Sequence, residues 1–162
     1  MNEDKNIRLD RMRYAKNTLS SSLVYLAILF NVLFFISIYK SDVGSYYYNI
    51  LIGASILYNL IFMLVAFLCS EGIKNYKISY AYLMVALGVI QIIRIFIIPM
   101  RAHSATVTLQ DKTMTVMGDG QFTRVVVYLC ISAACLLASA VVGYTRGKAL
   151  ADYEASLEAK AV

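Results

Sequence analysis

Arg94 is the residue whose type and position in this 162-residue chain most invite chemistry, because it sets a guanidinium inside the otherwise apolar run Ile92 to Ile98. A charge held in hydrocarbon costs about 3 kcal/mol on insertion scales unless it is paired or reaches water. Gln91 precedes Arg94 by three residues, so on a helix the two share a face. Together they would give one helix a polar outer half, pointing into a bundle, toward a second subunit or into a vestibule that draws anionic solutes. The plainer expectation is that Arg94 snorkels. It stands five residues before Pro99, about 7 to 8 Å below the helix end. From there its side chain can reach the headgroups or pair with Asp42 or Asp119.

Asn31 and Asn59 are two further polar groups within apolar surroundings. Lipid offers an amide no partner, so such residues hydrogen-bond across helices, at about 1 kcal/mol each. Cys135, Ser139 and Gly143 recur at intervals of four, with Ala134 and Ala138 beside them. A small-residue stripe of this kind lets another helix approach closely, either from within the bundle or from another protein.

Other candidates for chemistry are sparse. His103 is the only histidine, and with Asp111 and Asp119 it gives too few converging groups for a metal or an acid/base site. Cys69, Cys130 and Cys135 contain no C-x-x-C pair, and the last two, five apart, fall on different helix faces, so all three read as small packing residues. No phosphate-binding glycine loop, zinc-protease motif or nucleophile elbow occurs. The expectation is a protein that is not an enzyme and uses no cofactor or metal.

These residues are positioned by four long apolar stretches: 19–39, 46–70, 78–100 and 125–144. Each is long enough as a helix to cross a hydrocarbon layer of about 30 Å. No Asp or Glu lies within them, which disfavours coupling to protons through an intramembrane carboxylate. With 60% hydrophobic residues the chain has little left for a water-soluble domain, so one membrane domain spans 1–162. The net charge of +5 would suggest nucleic acid in a soluble protein. Here the basic residues flank apolar spans, and anionic lipid is the expected partner instead. The first span is full length with no small-residue cleavage pattern after it, so it is expected to stay in the mature protein.

Positive-inside counting orients the spans. Lys5, Arg8, Arg11, Arg13, Lys16, Lys74, Lys77, Arg146, Lys148 and Lys160 fall on one side, against Lys40, Arg101, Lys112 and Arg124 on the other. Both tails, 1–18 and 145–162, are therefore expected in the cytoplasm. Gly44 and Ser45 suit a tight link between the first two spans, and Gly72 suits a helix breaker before the third. Pro99 stops the third span.

Within the outer loop 101–124, Thr106 to Leu109 and Thr113 to Val116 alternate polar and apolar residues around Gln110 to Lys112, a β-hairpin pattern. Gly118, Asp119 and Gly120 then supply a turn. Ile7, Met12, Ala15 and Leu19 among basic residues suit either a helix in the inner interface or a solvated tail. Leu150, Tyr153 and Leu157 suit a frayed extension of the fourth span. Tyr39, Tyr46, Tyr47 and Tyr48, with Tyr76, Tyr80 and Tyr144 at the opposite boundary, read as interface anchors.

The sequence therefore predicts an all-α integral membrane protein. Four transmembrane helices form an up-down bundle with both termini inside and a small outer β-hairpin between the third and fourth. Short connections, small-residue stripes and buried amides point to helix-to-helix association. That describes an accessory or scaffold subunit of a membrane complex, or a self-associating bundle, with other membrane subunits or further copies as partners. The alternative is an oligomeric transporter or channel with an outer vestibule lined by Arg94 and Gln91. Abundant Ile, Tyr, Asn and Lys suggest a bacterial inner or plasma membrane.

Overall fold

The computed structural model describes residues 2–38, 46–104, 106–109, 112–115 and 117–161, and it is almost entirely helical. The helices are α1 (Asn2–Tyr14), α2 (Thr18–Ile38), α3 (Tyr46–Lys74), α4 (Ile78–Ile97), α5 (Pro99–Ser104) and α6 (Asp119–Ala161). Strands β1 (Thr106–Leu109) and β2 (Lys112–Thr115) lie between α5 and α6 and pair antiparallel, Thr106 opposite Thr115. Four helical segments are long and apolar enough to cross a membrane: Thr18–Ile38, Gly53–Lys74, Ile78–Ser104 and Asp119–Ala159. The link 40–45, with Asp42, Gly44 and Ser45, and the side chains of Tyr46 to Tyr48 lie outside the described residues.

α2, α3, α4 and α6 pack around one axis, with α6 lying along both α2 and α4. Buried positions recur at spacings of three and four: Val24, Ala27, Asn31, Phe34 and Ile38 on α2; Ala81, Met84, Gly88, Gln91 and Arg94 on α4. This is the seam that lets side chains of neighbouring helices interlock. The remaining surface of these helices is apolar and exposed, as at Leu57, Leu64, Ile93 and Phe96, which is the outward face that lipid requires.

The core has two apolar parts. One contains Val24, Ala27, Phe62, Ala66, Met84 and Leu136. The other contains Phe34, Ile38, Met117, Val125 and Leu129.

Several local expectations change. Gly72 does not break α3, which continues to Lys74. Its role is spatial, since a Cβ there would overlap the Tyr80 ring. The reversal into α4 is made instead by Tyr76, whose φ of 58° is left-handed, a conformation in which a non-glycine residue is strained. Asp119 and Gly120 open α6 rather than forming a turn ahead of it. Pro99 does end α4, and it then starts the short α5, where its missing N–H is no loss. α6 runs unbroken for 43 residues, about 64 Å at the helical rise and twice the thickness of a hydrocarbon layer. α1 is helical and touches this extension, with Arg13 Nε 3.9 Å from Glu154 Oε1.

Candidate functional site

Between the two apolar clusters, every helix of the bundle turns a polar side chain inward. Asn31 comes from α2, Ser55 and Asn59 from α3, Gln91 and Arg94 from α4, and Ser132 from α6, and each is buried. Their bonds cross helix boundaries. Asn31 Nδ2 donates to Asn59 Oδ1 at 3.2 Å, while Asn59 Nδ2 donates to the Ser55 carbonyl at 2.9 Å. Gln91 Nε2 donates to Asn31 Oδ1 at 3.1 Å and to Ser132 Oγ at 3.3 Å. Ser132 Oγ in turn donates to the Ala27 carbonyl at 2.9 Å. One network therefore ties all four helices together.

Arg94 sits in this network and does not snorkel; only 4% of it is exposed. Its Nη1 donates to Asn31 Oδ1 at 3.2 Å and its Nη2 to Ser55 Oγ at 3.4 Å. The guanidinium carbon lies 4.2 Å from the centre of the Phe34 ring and 4.6 Å from that of Tyr58. Ring faces carry negative charge density, and for a desolvated cation each such contact is worth about 2 kcal/mol. The planar ion fits this slot better than an ammonium would. Asp119, one of the two carboxylates expected to reach Arg94, is instead exposed and stands 3.8 Å from His103 Nε2.

Helical spacing puts these groups on shared faces. Phe34 follows Asn31 by three residues on α2, and Ser55 precedes Asn59 by four on α3, so each helix presents its polar and its covering residue on one face. Ser55, Ser132, Phe34 and Tyr58 complete the site, and sequence reading had not singled them out. The signal available for all but Tyr58 was this same spacing of three or four from a residue already chosen: Ser132 precedes Cys135 by three.

The small-residue stripe on α6 is used inside the chain. Ser139 and Cys135 are buried. Ser139 Oγ donates to the Ser20 carbonyl at 2.9 Å, and Ser20 Oγ donates back to the Ser139 carbonyl at 3.1 Å. A Cβ on Gly143 would overlap the Ile73 side chain. The stripe thus seats α2 against α6, with the Ile73 side chain of α3 reaching Gly143. Cys130, five residues before Cys135, faces outward.

His103 stacks on Phe122 with ring centres 4.5 Å apart, and its Nδ1 donates to the Met117 carbonyl at 3.2 Å. These contacts hold α5 against the start of α6. Among the described residues, no group of three or more His, Cys, Asp or Glu could hold a metal.

Chemically, the polar layer offers hydrogen-bond donors, amide and hydroxyl acceptors and a fixed positive charge. Among its described members there is no carboxylate, histidine or thiolate to move a proton or attack a substrate. The arrangement is suited to holding helices in register and to holding negative charge density. Comparison with protein-family models, with curated proteins and with solved structures gave no match.

Proposed function

We propose that this is a non-enzymatic multi-pass membrane protein that works by helix-to-helix association, as an accessory or scaffold subunit of a membrane complex or as a self-associating bundle. The observation that supports this reading is the polar layer shared by all four helices. Asn31, Asn59, Gln91 and Arg94 bond within one network inside the chain, which suits a rigid platform. The unbroken α6 extends that platform well beyond a bilayer's thickness. We place both tails in the cytoplasm, the four spans in an up-down order and the β1–β2 hairpin outside on the basic-residue count, and the bacterial inner membrane on composition.

A transporter built around Arg94 and Gln91 is the competing reading. The burial of both residues weighs against it, because a solute-attracting vestibule needs them open to water. Purification after gentle solubilisation separates the two. Association requires a defined oligomer or stoichiometric partners, together with solute-tight liposomes when the purified chain is reconstituted. Purified protein that moves an anion across liposomes, and stops doing so as Arg94→Met, would overturn association in favour of transport.

A further inference from the structure

At the end of the bundle where Asn17, Lys74 and Arg146 meet, a cavity of about 490 Å³ lies among Arg13, Lys16, Lys74, Tyr76, Gly147 and Glu154. Four separate parts of the chain build it: the end of α1, the α1–α2 link, the α3–α4 turn and the extension of α6. We propose that it is a binding site for a phosphate group. The polar layer and the association reading play no part in this assignment.

Three cations and one carboxylate line the cavity. The carboxylates near the cations are solvent-exposed. Arg13 is 3.6 Å from Asp10 and 3.9 Å from Glu154, both half exposed or more, and Lys74 is 3.2 Å from Glu71, which is 44% exposed. Exposed pairs of this kind hold little energy, so an incoming anion can displace them.

Asn17, next to Lys16 in the chain, ties the α1–α2 link to α3 and α6 and does not itself line the cavity. Asn17 is fully buried beside Lys16. Its backbone N–H donates to the Lys74 carbonyl at 2.9 Å, and its Oδ1 accepts from Arg146 Nη1 at 3.0 Å. These bonds hold the Lys16 and Lys74 backbones together at the cavity wall.

The cavity's walls suit a phosphate that carries an apolar body. Ile78 and Leu150 line it as well. Further along the same two helices, α4 and α6, a second cavity of about 300 Å³ lies among Tyr82, Val85, Val141 and Tyr144. A lipid headgroup with its chains on that seam and a free phosphate share the chemistry that the cations read.

Purified full-length protein in neutral detergent can be titrated with short-chain phosphatidylglycerol, short-chain phosphatidylcholine and inorganic phosphate, with bound species counted by native mass spectrometry. The wild type is expected to bind the anionic lipid or inorganic phosphate saturably. Lys16→Gln and Lys74→Gln, made singly, should each weaken that binding at least about tenfold, as loss of a charge-assisted hydrogen bond does. Lys148→Gln removes an equal charge outside the cavity and should change it less than about twofold. Phosphatidylglycerol binding that inorganic phosphate does not compete away marks a lipid as the source, whereas saturable phosphate binding that the lipid does not improve marks a soluble one. Thermal unfolding without ligand checks that the variants fold. Binding of neither probe, or equal weakening by Lys148→Gln, overturns the site.

Discussion

Arg94 on α4 donates to the same oxygen, Asn31 Oδ1 on α2, that Gln91 also uses, at 3.2 and 3.1 Å. One amide on one helix therefore positions the charge and the amide of another. Removing it takes an acceptor from both and a donor from Asn59 Oδ1, in a site closed by the Phe34 and Tyr58 rings.

Asn31→Leu is accordingly expected to destabilise the bundle by about 2 kcal/mol, read as earlier unfolding in detergent. Combining it with Arg94→Met should cost less than the two single changes added together, since the second change removes the guanidinium that the first deprives of an acceptor. Simple additivity would show that the contact carries no coupling.

Gly143 and Ile73 are matched in size. Gly143→Ala is expected to cost about 1 to 3 kcal/mol through overpacking against Ile73, and Ile73→Val should restore part of it in the double variant. If Gly143→Ala unfolds like the wild type, α3 and α6 do not approach as closely as described.

The α3–α4 turn is strained at Tyr76, with φ 58°. Tyr76→Gly should raise stability by about 1 kcal/mol, whereas Tyr76→Val, with a branched Cβ, should lower it. The same turn leaves no room on α6, because a Cβ on Gly147 would stand 2.9 Å from the Tyr76 carbonyl oxygen. Gly147→Ala should therefore loosen the turn, visible as faster amide exchange over residues 72–78.

His103 packs as a ring. His103→Phe keeps the stack on Phe122 and should retain most of the stability, while His103→Ala forfeits about 1 kcal/mol. Limited proteolysis between residues 104 and 118 checks this. Equal cleavage of the two variants would mean that the Met117 hydrogen bond, rather than the stack, holds the segment.

Orientation is open to a direct test. A cysteine at position 156 should resist a membrane-impermeant maleimide added to intact cells, and one at position 106 should react. The native cysteines do not interfere, since Cys69 and Cys135 are buried and Cys130 faces outward within an apolar helix. The reverse pattern would invert the proposed topology.

The number and placement of the apolar helices were legible in the sequence, because charge-free runs of spanning length admit few other structures once backbone groups must be satisfied without water. The shared face of Gln91 and Arg94 was legible too, from helical periodicity alone. What the chain's order could not disclose is which way that face turns. Snorkelling and burial differ only in whether α2 and α3 bring Asn31, Ser55, Phe34 and Tyr58 to meet the guanidinium, and those residues lie 36 or more positions away.

Glycine roles divide in the same way. Gly72 and Gly143 look like a helix breaker and part of a docking stripe in isolation, yet both are clearances for the side chains Tyr80 and Ile73. Local physics sets where helices form and how long they run. The facing of each polar or small residue is a property of the neighbour it meets, and only packing supplies the neighbour.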